Sequence, residues 1–524
     1  MTFGTRLRPK TALLAAIVAA TTVFAAGCGG APTSPAGGGA DAGPPEDGGT
    51  LTLSAIGGGQ AETLDPTKWL SAPDQTRIGA LYDQLTALSP EGSPEMLLAK
   101  EFTPNADGTE WTVRLRDDVT FHDGSPMTAT DVLYSIRRVK DSGAVASATL
   151  ATVDMDRSER LDDHTIVFRL SAPVGDFPAF FVDPSTSIVK DGATDFEKPV
   201  GTGPFKFQSW TRGDRSVFVR NDSYWGQKAH VDELVIVPMA DETARTNALL
   251  SGAIDMAVDV APTSVSTLEQ SGMQTTSKTG AAASNFYLRA DTEPTKNPAL
   301  REALALAIDR QKCVDVALQG KGTVASDLFG LNFPSFPKDA PEISYDPARA
   351  RAVLDKAGLA PVTLTLTMGP GGAGMVECAQ VFQESAKAAG ITINIDTIPG
   401  QDVFNPDAGY LSWDFGMTNW IGNSFQDVAR LTMLKDAFFD EIGFANPEFD
   451  RAFAEAQSIL DDDERNAAYA DLAEQVQAAH IYIVWGYGDF ITAHSNRVHG
   501  LDAYAGGKAM GFRMAGLNEA WVQQ

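Results

Sequence analysis

The first 28 residues set the first constraint on this chain, because they cannot belong to a folded core. Arg6, Arg8 and Lys10 provide positive charge, and an alanine-rich apolar stretch runs from Thr11 to Ala26. A basic segment followed by a short apolar one and then small residues is typical of an export signal. The stretch is too short and too rich in alanine for a permanent membrane span. We therefore expect the folded protein to begin downstream, outside the cytosol. A cytosolic protein with an apolar start is the less favoured alternative.

Cys28 follows this signal directly. The sequence Ala-Ala-Gly-Cys that ends at Cys28 resembles a bacterial lipobox, whose cysteine is acylated and becomes the mature N-terminus, although Ala25 stands where leucine is commoner. Residues 28–49 are mainly Gly, Ala, Pro and Ser, a composition that cannot bury a core. The sequence thus predicts a lipoprotein signal peptide at 1–27, lipidation of Cys28, and a flexible tether at 28–49. The lipid would anchor the protein to the outer face of the cell membrane.

The chain is strongly acidic. Its formal charge is −27 over 524 residues, and loss of the three basic residues of the signal lowers it to about −30. Such a protein repels nucleic acid and anionic lipid, so neither is an expected partner. The charge hints only weakly at cationic ligands, since surface charge need not reflect the charge of a pocket. With 43% hydrophobic residues, a chain of this length can form two or more domains.

Cys313 and Cys378 are the other two cysteines. Outside the cytosol they could form a disulfide, but two buried free thiols fit the spacing equally well. Six scattered histidines and so few cysteines argue against a structural zinc site, and no cofactor or metal is expected.

From Thr50 onward, segments with strand periodicity alternate with segments of helical periodicity, which predicts an α/β fold. The predicted strands share an alternation of apolar and polar side chains: Thr50–Ser54, Trp111–Leu115, Thr165–Leu170 and Asp232–Pro238. The predicted helices begin at capping residues or carry apolar residues at helical spacing: one after the capping box Thr128–Asp131, then Asp241–Leu250, Leu300–Leu318, Ala348–Lys356, one opened by Asn446-Pro447, and Asp461–Ala479.

Seven short motifs follow one another between residues 50 and 360. In order, they are Thr63-Leu-Asp-Pro66 with Leu81-Tyr-Asp-Gln-Leu-Thr86, Trp111–Gly124 with Met127–Val132, Val200-Gly-Thr-Gly-Pro-Phe205, Arg220-Asn221 with Tyr224-Trp225, Ser251–Asp255, Arg301–Arg310, and Tyr345-Asp-Pro347 with Leu354–Gly358. None of them is specific alone, but seven in order at compatible spacings are hard to produce by chance. Together they resemble family 5 of the extracellular solute-binding proteins, which deliver peptides, nickel chelates and some oligosaccharides to ABC transporters.

The resemblance implies an α/β, type II periplasmic-binding-protein fold of the large cluster. Such a fold has two lobes with a cleft between them, two hinge crossings and an extra subdomain in lobe I. It implies lobe I at 50–284 plus 488–524, and lobe II at 285–487. It also implies a binding protein without enzymatic activity, which captures a solute by hinge closure. A small solute, peptide or oligosaccharide, and the ABC permease subunits would be the partners of a monomeric receptor.

Several motif residues are expected to be structural. Gly201 and Gly203 before Pro204 predict a tight turn that uses the freedom of glycine to adopt a positive φ. His122 is expected to lie in a turn with its ring nitrogens paired and to take no part in catalysis.

In the peptide-binding branch of the family, a Trp is followed three residues later by an Asp that pairs with the peptide's α-amino group. Trp420 matches the Trp, but Asn423 stands in place of the Asp, and an amide cannot supply a charge-assisted contact. Asp427 could take over only if the loop were rebuilt. Ala290 is a second departure, because the family usually has Asn there. Both departures leave room for sugars or other neutral polar solutes.

The remaining candidate ligand contacts implied by the resemblance are aromatic and amide side chains: Asn419, Trp413, Tyr287, Asn285 and Trp69. For Trp413, a place in the core is at least as well supported as a place in the pocket.

Gly369 to Gly374 match G-x-G-x-x-G between a predicted strand and a helix, which is a dinucleotide-binding pattern. Pro370 stiffens the turn and a single crossover is not a doubly wound domain, so a simple crossover in lobe II is the favoured interpretation. Two other classes remain open: an anchored extracellular hydrolase, which turnover would reveal, and a sensor receptor of the same fold.

Overall fold

The computed structural model describes residues 43–59, 61–69, 71–369, 372, 374–399, 402–403, 409–501 and 516–524. The signal peptide, Cys28 and most of the predicted tether lie outside these residues. Within them the chain forms nineteen strands and twelve α-helices.

The strands are, in chain order, β1 Thr50–Ile56, β2 Thr86–Leu88, β3 Pro94–Met96, β4 Ala99–Pro104, β5 Glu110–Leu115, β6 Val153–Asp162, β7 Thr165–Leu170, β8 Phe205–Thr211, β9 Arg215–Arg220, β10 Glu233–Met239, β11 Met256–Val258, β12 Gln274–Leu288, β13 Gly322–Val324, β14 Val362–Met368, β15 Ile391–Thr397, β16 Phe415–Ile421, β17 Tyr482–His494, β18 Val498–His499 and β19 Trp521–Val522.

The helices are α1 Ala72–Leu81, α2 Ala129–Asp141, α3 Val145–Thr149, α4 Glu242–Leu250, α5 Pro262–Gln270, α6 Pro298–Ala307, α7 Arg310–Ala317, α8 Pro347–Ala357, α9 Met375–Ala386, α10 Phe425–Thr432, α11 Pro447–Ser458 and α12 Asp462–Ala479.

A nine-stranded mixed sheet organises the molecule. Its strand order is β16-β12-β17-β11-β1-β10-β9-β8, and β13 also pairs with β17. Two long neighbours, β12 and β17, run through both halves of this sheet. Near Gln274 the pair lies beside β11 and β1, whereas near Tyr287 it lies beside β16. The register of the pair shifts between Lys278 and Ala282, and this irregularity marks the place where the chain crosses from one half to the other.

Each half of the sheet has its own core. Around β1 and β10, buried side chains such as Leu53 and Ile236 pack against α1. Around β16, side chains alternate between the two faces of the sheet. Phe415 and Met417 lie in a hydrophobic cluster on one face, and Tyr287 of β12 lies in a second cluster on the opposite face. Because apolar side chains are buried on both faces, the β12–β16 half lies inside layers of helix.

A separate four-stranded antiparallel sheet, in the order β4-β5-β7-β6, forms the additional subdomain. Its core is aromatic, with Trp111, Phe168 and Phe177 among the buried rings, and Trp111 donates its indole N–H to the Val174 carbonyl at 3.0 Å. Helix α2 packs on it and begins with the predicted capping box, in which Asp131 accepts from the backbone and hydroxyl of Thr128.

Most of the predicted elements are confirmed to within two residues, but the long helix predicted over Leu300–Leu318 is wrong. The chain forms two helices there, α6 and α7, separated at Ile308 and Asp309. The Asp309 side chain accepts from the Lys312 N–H and starts the second helix, and the buried Arg310 donates to the carbonyls of Ala305 and Ile343. The apolar periodicity continues through this break, which is why it concealed the new N-terminus.

The reason given above for Gly201 and Gly203 is also wrong, because neither has a positive φ. Both glycines instead lie against the end of α1. A Cβ on Gly201 would stand 1.9 Å from the Leu81 carbonyl oxygen, and one on Gly203 would stand 2.6 Å from the Leu81 carbonyl carbon. Close backbone approach therefore requires glycine at these positions.

The last residues of the predicted tether contact the folded body. Gly48 donates its N–H to the His230 carbonyl at 2.8 Å, and the carboxylate of Asp47 lies 2.7 Å from the His230 ring. Glu46 accepts from the backbone of Gln524. These contacts hold residues 46–48, at the end of the predicted tether, against the folded body.

Cys313 of α7 and Cys378 of α9 form a disulfide, which resolves the alternative left open by their spacing. Both side chains are fully buried, and the bond joins helices 65 residues apart in the sequence. No helix in the described part of the chain combines the length and apolarity needed to cross a bilayer.

The disulfide should contribute measurably to stability. Replacing both cysteines by serine is expected to lower the free energy of unfolding by about 2–4 kcal/mol, because the closed loop restricts the unfolded chain. Denaturant unfolding of both proteins with and without reductant measures this. Reductant should weaken the wild type to the level of the double variant and leave the double variant unchanged; equal stability of the two proteins under oxidising conditions would contradict the assignment.

Candidate ligand-binding cleft

A cavity beside the crossing strands has a volume of about 470 Å³ and receives residues from both halves of the sheet. One wall comes from Ile56 at the end of β1, from the start of α1, and from the loop before α5. The other wall comes from β12 and β16, with Asn419 and Ile421 among its members. Gly488, Asp489 and Phe490 of β17 form the floor where the halves meet. A cavity of this size is in the range that small solutes occupy.

Strand alternation decides which of the predicted residues face this cavity. Ser284 pairs with Asn419, and Ala282 pairs with Ile421, so these four side chains share the cleft face. Trp420 lies between them in sequence and points to the opposite face. There it lines a cavity of only about 10 Å³ together with Asn423 and Tyr487. The predicted run from 419 to 423 is therefore divided between two sides of the sheet.

Two polar atoms on this strand are buried without a partner among the described residues. They are the amide oxygen Oδ1 of Asn419, on the cleft face, and the indole Nε1 of Trp420, on the other face. An unpaired buried polar atom costs about 1–3 kcal/mol. Native sites usually offset such a cost with a bound water or a ligand, so Asn419 marks a place on the cleft wall where a donor is expected.

The charges that border the cleft are negative. Glu242, Asp259 and Asp489 line the cavity, and no Lys or Arg does so among the described residues. Glu242 is already engaged, because it accepts from the buried Arg245 and from the Ala261 N–H at 2.9 Å. Asp489 accepts the Gly280 N–H at 3.1 Å. Burial raises the pKa of Asp489, while the Gly280 hydrogen bond and the charge of Lys321 partly oppose that rise.

Asp427 is not brought to the cleft. It occupies the third position of α10, where its carboxylate accepts from the N–H and hydroxyl of Ser424 in a capping box. Its other oxygen pairs with Arg430 at 3.2 Å. It borders a different cavity, of about 400 Å³, next to the four-stranded subdomain. A role for Asp427 at the cleft would require the start of α10 to unfold.

Four other predicted contacts also lie away from the cavity. Tyr287 and Asn285 are fully buried, and the alternation along β12 places them on the face opposite Ser284. The Tyr287 hydroxyl donates to the Tyr410 carbonyl. Trp413 is partly buried and packs edge-to-face on Tyr410, with ring centroids 5.9 Å apart.

Trp69, the fourth of these, donates its indole N–H to the Ser185 hydroxyl at 2.9 Å. It packs against the lobe I core.

Sequence reasoning missed the contribution of β17 to the cleft. A signal was present, since Gly486 and Gly488 flank Tyr487 in a strand that is mainly apolar. Glycine within a strand often marks a bulge or a place where a ligand approaches the backbone closely.

A second contact joins the two sides away from the crossing. Asp176, at the start of a short 3-10 helix in the subdomain, lies 3.5 Å from the Arg430 guanidinium on α10. Arg430 also stacks over the Phe180 ring at 4.9 Å. Nearby, Gly175 donates its N–H to the Gln457 carbonyl at 2.6 Å. Burial raises the pKa of Asp176 against the opposing charge of Arg430, so this carboxylate depends on its partner.

The motif residues meet around Asp83, a buried carboxylate of lobe I. It accepts from the Thr202 hydroxyl at 2.9 Å, the Tyr224 hydroxyl at 3.0 Å and the Trp225 indole at 3.0 Å. These three hydrogen bonds connect residues that belong to separate sequence motifs. Asp83 therefore has a structural role, because its carboxylate joins the motifs in the folded chain.

His122 is structural, as expected. Its ring nitrogens lie 3.1 Å from the Gly203 carbonyl and 3.2 Å from the Gly201 N–H. Burial lowers its pKa to about 4, so the imidazole is neutral at physiological pH.

The G-x-G-x-x-G segment lies partly outside the described residues, which omit positions 370, 371 and 373. On either side of it, β14 and β15 form a two-stranded parallel sheet connected through α9. This is a single crossover, as the favoured interpretation expected. Among the described residues, no three His, Cys, Asp or Glu side chains are grouped as metal ligands.

Residues 93–439 match the model of the bacterial extracellular solute-binding proteins, family 5 Middle. The chain belongs to this family. It is 27% identical to di/tripeptide-binding protein 2 of Pseudomonas aeruginosa over 463 residues, which cover 80% of this chain and 86% of that protein.

Two solved structures support the same assignment of fold. The periplasmic binding protein DppA of Helicobacter pylori, in complex with the peptide STSA, has a TM-score of 0.76 at 22% identity, with 91% of this chain and 99% of that one covered. The protein AgaA of A. tumefaciens R10, in complex with agropinic acid, has a TM-score of 0.75 at 21% identity, with 91% and 99% covered. The predicted two-lobe type II periplasmic-binding-protein fold is confirmed.

This family member is the solute-binding component of an ABC importer, and the family consists of solute-binding proteins, which are not enzymes. Its matched relatives include periplasmic proteins.

Behind the cleft wall, Glu441 is a fully buried carboxyl group in the core of lobe II. Tyr482 donates to it at 2.6 Å, and the Tyr410 hydroxyl also donates. Burial raises its pKa from 4.5 to about 7, against the lowering effect of these hydrogen bonds. Between these two pH values the folded protein keeps a proton that the unfolded chain releases, so stability falls as pH rises through this window.

Glu441→Gln should remove that pH dependence. The wild type is expected to lose up to about 1.4 kcal/mol of unfolding free energy per pH unit between pH 5 and 7 from this group, and the variant should show a flatter profile. Denaturant unfolding at several pH values measures it, with the exposed Glu455→Gln as the matched control. A slope that is the same in all three proteins would contradict the assignment.

Proposed function

We propose that the chain captures a peptide in the cleft beside β16, closes around it by hinge motion, and delivers it to a membrane permease. The observation that carries this proposal is the 470 Å³ cavity, which is lined from both halves of the molecule and holds the unpaired amide oxygen of Asn419. A solute that contacts both walls favours the closed form over the open one.

The comparisons support a peptide as the solute. Di/tripeptide-binding protein 2 of Pseudomonas aeruginosa is a relative of this chain, and the Helicobacter protein of the same fold binds a peptide. Main-chain hydrogen bonds to such a solute would give breadth of specificity, because every peptide carries the same backbone groups.

A non-peptide solute is the second candidate. Asn423 lies against Trp420, outside the cleft cavity, so the amide that replaces the aspartate of the peptide-binding branch offers no charge to an α-amino group. The agropinic acid complex of AgaA supports a non-peptide ligand in a protein of this fold. A sensor role remains compatible with the same site, whereas the anchored hydrolase is not proposed, since family members bind solutes without turnover.

The cleft assignment is tested with the full-length protein. Native mass spectrometry of the purified chain should identify the solute carried from the cell: a mixture of peptides supports peptide uptake, and a single non-peptide supports the second candidate.

Asn419→Ala should then weaken binding of that solute about 3- to 10-fold in calorimetry, as expected for loss of one hydrogen bond. The exposed Asn394→Ala on β15 is the matched control. Equal affinity in all three proteins would contradict a contact at Asn419.

We also propose that Cys28 carries the lipid that holds the receptor at the outer face of the membrane. The protein labelled in cells with a clickable palmitate analogue should incorporate the label, and Cys28→Ala should not. In fractionation, the variant should leave the membrane fraction. Labelling of the variant at the wild-type level would contradict the assignment.

A further inference from the structure

We infer that Asp176 and Arg430 form a latch, which holds the four-stranded subdomain against helices α10–α12 and keeps a fraction of the receptor closed before a solute arrives. This inference rests on the hinge motion of the proposed function and gives that motion a determinant outside the cleft. Solute affinity then depends on two residues that touch no solute.

The latch is a carboxylate of the subdomain that lies between two arginines of the helices. Asp176 precedes the short 3-10 helix Phe177–Phe181, and its side chain is 8% exposed. Its Oδ2 lies 3.5 Å from Nη2 of Arg430 on α10. Arg465 on α12 is also buried, and its charge acts on the carboxylate together with that of Arg430. The negative charge of one side is thus received by positive charges of the other.

Each of these charges keeps a partner when the two sides separate. Arg430 also pairs with Asp427 at 3.2 Å, on its own helix. Arg465 pairs with Asp462, likewise on its own helix. Asp176 would enter water, which solvates a carboxylate well. An ion pair that opened without such alternatives would leave a buried charge uncompensated, so this arrangement suits a contact that opens and closes.

The contacts of Asp176 are only partly satisfied. The Tyr469 hydroxyl stands 3.5 Å from Oδ2, as far away as Arg430, and both distances exceed those of strong charge-assisted hydrogen bonds. Oδ1 is buried without a partner among the described residues. Burial raises the pKa of Asp176 against the opposing charges of Arg430 and Arg465. A contact with these imperfections holds the closed form weakly enough for the receptor to reopen.

The two sides approach each other closely at one point beside the latch. Gly175 donates its N–H to the Gln457 carbonyl on α11 at 2.6 Å, and a Cβ on Gly175 would stand 1.9 Å from the Ile459 carbonyl oxygen. Next to this point, a cavity of about 400 Å³ is lined by both sides, with the beginnings of α10 and α12 among its walls. The contact is therefore local, and the Gly175 amide reports whether it is made.

Hydrogen–deuterium exchange at the Gly175 amide measures the latch, because the acceptor lies on the other side. The full-length protein is freed of carried solute by unfolding and refolding, and exchange is followed by mass spectrometry. Wild type is compared with Asp176→Asn, Arg430→Met, the double variant, and Arg351→Met, a matched change at an exposed arginine of α8. Methionine keeps apolar contact with the Phe180 ring over which the guanidinium stacks, so Arg430→Met should fold.

Both single variants should exchange the Gly175 amide about 10-fold faster than wild type, because the closed form loses its ion pair, whereas Arg351→Met should not. The double variant should exchange no faster than either single variant, since both changes remove the same contact. The amides of Leu115 and Met433, which pair within the subdomain and within α10, should keep their wild-type rates. Equal exchange at Gly175 in wild type and both single variants, or faster exchange at all three amides, would overturn the inference.

Calorimetry with Ala-Ala-Ala separates the latch from the proposed function. Arg430→Met should bind this peptide about 3- to 10-fold more weakly than wild type, because a smaller fraction of the receptor is closed, although Arg430 does not line the cleft cavity. If no protein binds the peptide but the difference in exchange at Gly175 remains, peptide uptake is contradicted and the latch is supported. Faster exchange with unchanged affinity would overturn the claim that the latch sets solute affinity.

Discussion

The pairing of β12 with β17 is the constraint on which the rest of the structure depends. These two strands, with 15 and 13 residues, are the longest in the described part of the chain, and they belong to both halves of the main sheet. The register of this pair shifts between Lys278 and Ala282 and again between Ser284 and Asn285. Ala282 and Ser284 also line the cleft cavity, so the irregular part of the ladder borders the candidate site.

A second interaction joins the two sides of the molecule away from the crossing strands. The buried pair of Asp176 and Arg430 connects the four-stranded subdomain to the helix that follows β16. Arg430 also pairs with Asp427, so its guanidinium connects two carboxylates. Loss of Arg430 would therefore take away the ion-pair partner of the buried Asp176.

The sequence predicted the fold well because most of its elements are locally encoded. The capping box at Thr128, the Asp346-Pro347 helix start and the Gly358 helix end all lie where the residues indicated. The break between α6 and α7 was missed because apolar spacing continues across it, although the Asp309 side chain caps the second helix and Arg310 donates to the carbonyls of Ala305 and Ile343.

The site was harder to predict for a physical reason. Asn419 and Trp420 are adjacent in sequence but lie on opposite faces of one strand, so proximity in the chain did not mean proximity in the cleft. Tyr287 and Asn285 were misplaced by the same alternation. The contribution of β17 was missed because it depends on the register between two strands that are distant in the chain, which no local pattern encodes.

The most direct test of this account is a crystal structure of the full-length protein with the solute that it carries from the cell. The account predicts that the solute lies between the end of β1 and β16, within hydrogen-bonding distance of the Asn419 amide. A solute bound in the cavity next to Asp83 or in the one bordered by Asp427, with the cleft beside β16 empty, would contradict it.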